Sequence, residues 1–125
     1  MENDTRYDQG MTTRREVLGN DHVDRAIAST TPFTAPFQDF ITRYAWGEIW
    51  SRPGLSRVER SMITLTALAV LRQDEELTMH VRAALANGLS PGQIQEVLLQ
   101  VAVYAGVPAA NRAFAIAAEV LENAT

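Results

Sequence analysis

A chain of 125 residues with 46% apolar and 21% charged side chains can build one ordinary hydrophobic core, and its composition excludes a disordered chain. A formal net charge of -4, with the 11 basic residues scattered among acids, excludes phosphate backbones and anionic membranes as electrostatic partners. The absence of cysteine excludes disulfides, thiolate metal sites and thiol redox chemistry.

Residues 1–11 are polar and without periodicity, which predicts a mobile lead or an arm across a neighbouring subunit, with the folded domain in residues 12–125. No apolar signal-type run opens the chain, and the longest nearly uncharged stretch, Ser61 to Leu71, is too short for a bilayer, so a cytoplasmic protein is expected. Thr13 and Glu16 have capping-box spacing and predict the start of a first helix, interrupted near Gly19. Ser29 to Pro36 is a breaker cluster. Beyond it, Phe37, Phe40, Ile41, Tyr44 and Ile49 recur near helical spacing and predict an aromatic helix that ends at Ser51-Arg52-Pro53-Gly54.

Ser56 and Glu59 form a second capping-box pattern, followed by a helix apolar almost all round, as expected of a central element. Asp74 is the expected N-cap of the next helix and Gly88 its C-terminal glycine. Ser90-Pro91 opens a helix with Ile94, Val97, Leu98, Val101, Ala102 and Ala105 on one face, closed by Gly106. Pro108 opens the last, whose Ala110, Ala113, Phe114, Ala117 and Leu121 make a stripe of mostly small residues. No segment alternates like a strand. The fold class is therefore all-α, a single compact domain of about six helices.

Wound as a helix, the segment after Asp74 gathers Leu77, Val81, Ala84, Leu85 and Gly88 into a buried stripe. His80 and Glu76 lie one turn apart along the edge of that stripe, where a side chain is partly desolvated and still reaches a cavity. Two readings of the pair stand. An imidazole beside a carboxylate can move a proton near neutral pH, whereas a first-turn Glu also complements the helix dipole and an i, i+4 pair can be purely structural. Two ligands are too few for zinc, so no metal is expected. Arg43, Tyr44, Trp46 and Trp50 form a second candidate set, read either as core or interface aromatics or as a carboxylate-fixing Arg beside an aromatic wall.

The stretches REVLGNDHVDRA, ITRYAWGEIWSRPGL, RSMITLTAL, HVRAALANGLS and EVLLQVAVYAGVPAAN occur in this order and spacing. From about Arg14 to Leu121 the sequence resembles the carboxymuconolactone decarboxylase family of the AhpD-like superfamily. The resemblance implies a small helical subunit assembled as a homo-oligomer, a hexamer or trimer. It also implies cofactor-independent decarboxylation of 4-carboxymuconolactone to 3-oxoadipate enol-lactone, in protocatechuate degradation by the β-ketoadipate pathway. Redox members of the superfamily carry Cys-x-x-Cys with a His four residues later; Gln73 and Glu76 stand at those positions here, so peroxidase chemistry does not carry over. Glu59, Ala105 and Arg112 depart from the family pattern, and Arg112 alters a pocket mouth if it points inward.

For the reaction that the resemblance implies, His80 is the candidate for proton delivery, or for a hydrogen bond to the developing enolate oxygen, with Glu76 orienting it. Arg43 or Arg60 is the candidate for binding the substrate's acetate group and Trp46, Trp50 and Tyr104 for an apolar wall, while Asn111 is read either as an amide hydrogen-bond donor or as a helix-terminal capping or packing residue. The competing readings are a non-catalytic helical oligomer that binds a small aromatic-derived ligand, and a decarboxylase of a related lactone.

Overall fold

The computed structural model describes residues 5–124. The chain is all-α and divides into two compact units, Met1–Ser56 and Arg57–Thr125.

In the first unit, α1 (Thr5–Leu18) and α2 (Asn20–Ala28) meet at Gly19, whose φ of 91° suits a residue without Cβ. Next come α3 (Ala35–Ile41) and, without a break, a π-helix (Thr42–Ile49). Residues 5–11, expected to be an irregular lead, are instead the opening turns of α1; residues 1–4 of that lead lie outside the described residues. Thr13 is not a cap. Ser51 Oγ donates to the Trp46 carbonyl at 2.6 Å, so the Thr13 hydroxyl donates to Ser51 Oγ at 2.9 Å.

The reason apolar periodicity missed this start is that α1 docks on the π-helix through backbone rather than through an oily stripe. A Cβ on Gly10 would overlap the Thr42 carbonyl oxygen, and one on Gly47 would overlap the Arg6 carbonyl oxygen. The same close approach sets the inner face of the aromatic helix: Thr42, Trp46 and Gly47 face inward, while Phe37, Phe40 and Tyr44 are more than half exposed.

The second unit holds α4 (Arg57–Val70), α5 (Asp74–Ala86), α6 (Pro91–Ala105) and α7 (Val107–Asn123). α4 packs on the other three, around a core that includes Leu65, Leu77, Val81, Ile94 and Leu98. Fully burying one such aliphatic side chain stabilises by about 1.5–3 kcal/mol. α4 is not apolar all round for burial within this unit, because Ile63 and Val70 stay exposed. α6 begins with the expected cap, now seen as a full capping box in which Ser90 Oγ accepts from Gln93 N and Gln93 Oε1 accepts from Ser90 N.

α4 and α5 both end in a Schellman turn. After α5, Leu89 N donates to Ala84 O and Gly88 N to Leu85 O, with Gly88 at φ 108°. After α4, Gln73 N donates to Leu68 O and Arg72 N to Ala69 O, and here an arginine takes the left-handed position, at φ 57°. No helix among the described residues is long and apolar enough to cross a membrane.

Candidate functional site

α5 carries the imidazole and carboxylate that the sequence singles out. Its inward residues are Leu77, Val81, Ala83 and Ala84, which puts His80 at the boundary, half-buried, as the helical projection predicts. Glu76, one turn earlier, is exposed. Three acids, Asp74, Glu75 and Glu76, occupy the first turn, where a helix N-terminus favours negative charge. Asp74 is not the N-cap; that position is Gln73, and Asp74 instead accepts a hydrogen bond from Arg112 Nε at 2.9 Å, tying α7 to the start of α5. Arg112 is therefore committed to an ion pair, worth no more than about 1 kcal/mol at this exposure.

The remaining candidates of this unit sit on three different helices. Arg60 on α4 is partly buried, Asn111 in the second turn of α7 is exposed, and Tyr104 near the end of α6 is 83% exposed. Tyr104 lines an apolar groove of about 370 Å³ with Met62, Ile63, Val70 and Val97, built from α4 and α6. Neither His80 nor Glu76 belongs to that groove. Among the described residues no three His, Asp or Glu side chains cluster as metal ligands do.

In the first unit, Trp46 is only 6% exposed and its indole stacks on Trp50 with centroids 5.1 Å apart. Trp50 N donates to Ala45 O, so the wide π-type turn continues to the second indole. Arg43 is held by Asp39, Nε to Oδ2 at 2.9 Å, and its guanidinium lies over the Tyr7 ring, 5.3 Å from the centroid. Much of its binding capacity is spent on these neighbours.

The sequence reading passed over a third arginine. Arg14 is 5% exposed. The signal was present: Gly10, Thr13, Arg14 and Val17 follow i, i+3, i+4, i+7 and are the buried face of α1. Burial pushes the Arg14 guanidinium below its ordinary pKa, with Tyr7 opposing the fall and Arg15 adding to it.

Comparison with known proteins follows the same order along the chain. The family model described as the carboxymuconolactone decarboxylase family matches residues 35–119, more than two-thirds of the chain. The chain belongs to the carboxymuconolactone decarboxylase family. It is 45% identical over 123 residues to the 4-carboxymuconolactone decarboxylase of Acinetobacter baylyi, covering 98% of this chain and 92% of that one. It is 38% identical over 117 residues to the nitrosuccinic acid decarboxylase of Metarhizium robertsii, covering 94% and 82%. A Pseudomonas putida 4-carboxymuconolactone decarboxylase sequence is 48% identical over 48 residues, 38% of this chain and 100% of that sequence. The family segment takes in α3, the π-helix, α4, α5, α6 and most of α7, hence His80, Glu76 and the other candidates named from sequence, but begins after Arg14.

Proposed function

We propose that this chain is a carboxy-lyase that removes carbon dioxide from 4-carboxymuconolactone and yields 3-oxoadipate enol-lactone, as a step in protocatechuate breakdown by the β-ketoadipate pathway. The observation that carries the reading is the 45% identity across nearly the full length of both chains to a protein of that name.

The chemistry asks little of the protein. When the γ-carboxylate leaves, the carbon–carbon bonding pair passes through the ring double bond to the lactone carbonyl oxygen, giving a dienolate. A proton then adds to the carbon next to the carbonyl. The substrate supplies its own electron sink, so the reaction requires no resident cofactor and no metal. What remains is to hold a dianion, stabilise the oxygen that gains charge, and supply the proton.

His80 takes the last or the second task, as proton donor or as hydrogen-bond donor to the enolate oxygen, and Glu76 orients it. The half-burial of His80 supports this role, since a donor at the edge of a core is partly shielded from water and remains accessible. Substrate-holding roles are assigned to Arg43, Arg60, Trp46, Trp50, Tyr104 and Asn111, each testable through its own effect on KM. The working protein is a cytoplasmic homo-oligomer, and its assembly is supported by the apolar side chains Ile63, Val70, Val103 and Tyr104 left exposed on α4 and α6.

The experiment is a spectroscopic lactone assay on purified protein without added cofactor; consumption of lactone with equimolar carbon dioxide is expected. The Metarhizium relative supports a second reading, decarboxylation of a nitro acid. A nitro group accepts the departing bond's electrons as a lactone carbonyl does, so nitrosuccinate is the competing substrate. A higher kcat/KM on nitrosuccinate than on the lactone would select it. An inactive but discretely oligomeric protein would select a ligand-binding role instead.

A further inference from the structure

The first unit contains a half-open cavity of about 400 Å³, the size range of small-molecule sites, lined by Tyr7, Met11 and Arg14 of α1 and by Gln38, Asp39 and Thr42 on the other side. Tyr7, Met11 and Arg14 are one face of one helix, at i, i+4 and i+7. Arg14 is the cation of this wall and is 95% removed from solvent, on its 5% exposure.

A buried guanidinium normally has its donors satisfied, because an unpaired buried charge is costly. Arg14 departs from this. Its one hydrogen bond among the described residues is long: Nη1 to Thr42 Oγ1 at 3.4 Å. Thr42 spends its own proton on the Gln38 carbonyl at 2.7 Å, so Oγ1 is free to accept but adds no charge. Arg14 Nε is fully buried and has no hydrogen-bond partner among the described residues. The acid of this wall, Asp39, is taken by Arg43 at 2.9 Å.

The Arg14 guanidinium lines the cavity without a carboxylate of that wall to pair with, and a guanidinium engages a carboxylate through parallel N–H···O bonds. We propose that this cavity is a binding site for a compact organic carboxylate, with Arg14 as its charged anchor. One planar cation among neutral walls suits a carboxylate group. A phosphate dianion, by contrast, is ordinarily met by several donors or a second cation. The inference does not depend on the lactone reaction, and binding is its readout, so either can fail while the other holds.

The test uses the intact protein labelled with nitrogen-15, in which the arginine Nε–H resonances are observed directly. Succinate, raised to tens of millimolar, is expected to move the Arg14 Nε–H resonance downfield in a saturable way, while neutral succinamide leaves it in place. Arg14→Lys keeps the charge and loses the fork, and is expected to weaken the succinate midpoint by at least about tenfold. Should the lysine variant fail to fold, the succinate and succinamide titrations of the native chain decide alone. Absence of a saturable succinate shift, an equal response to succinamide, or a tighter response to inorganic phosphate would each overturn the proposal.

Discussion

His80 and Arg14 are the two side chains on which the chemistry of this molecule is argued, and they were differently legible. His80 stands out in sequence because a carboxylate, Glu76, lies one helical turn from its imidazole. The helical projection placed it at the core boundary, where the structure has it. Arg14 was harder to read: Thr13 and Glu16 around it imitate a helix start, and the i, i+3, i+4, i+7 face it shares with Gly10, Thr13 and Val17 is not an apolar one, so its inward position becomes plain only with the backbone approach of α1 to the π-helix. For His80→Ala we expect kcat on the lactone to fall at least about a hundredfold, the scale of a lost general acid or oxyanion donor, with the far-ultraviolet dichroism unchanged. Glu76→Gln, which keeps size and removes charge, is expected to shift the pH profile of kcat with a smaller loss of rate. A Glu76 that only caps the helix would leave that profile unmoved.

Helix ends marked by Gly and Pro were read well, since those residues act through local backbone geometry that needs no tertiary knowledge. Gly19, Ser90-Pro91 and Gly106 all sit where the sequence put a boundary. Apolar spacing alone left the inner face of the aromatic helix open. Phe37, Phe40 and Tyr44 recur at helical spacing yet stay exposed, because glycine at positions 10 and 47 lets two backbones touch and puts Trp46 on the inner side. The twin Schellman turns give a paired prediction. Replacing Gly88 by Ala forces a Cβ into a left-handed conformation and is expected to cost about 1–2 kcal/mol in urea unfolding. Replacing Arg72 by Gly relieves the same strain after α4 and is expected to be neutral or stabilising by up to about 1 kcal/mol. Loss of stability in both variants would show that the φ values are not what governs these turns.

At the scale of the whole molecule the all-α class was fully legible, because periodicity and stop signals are enough to exclude strands. The partners of the outward apolar side chains were not, because a side chain that leaves its own core empty-handed is indistinguishable in sequence from one that fills it. Ile63, Val70 and Tyr104 share one groove, and Ile63→Glu is expected to shift the sedimentation coefficient toward smaller species if that groove is closed by another copy. The central claim is simpler than any assembly: the lactone carries its own electron acceptor, so the folded chain alone suffices. The decisive measurement is turnover of 4-carboxymuconolactone by protein exhaustively dialysed against chelator. Undiminished release of one carbon dioxide per lactone is the predicted result, and no turnover by correctly folded, oligomeric protein would contradict it.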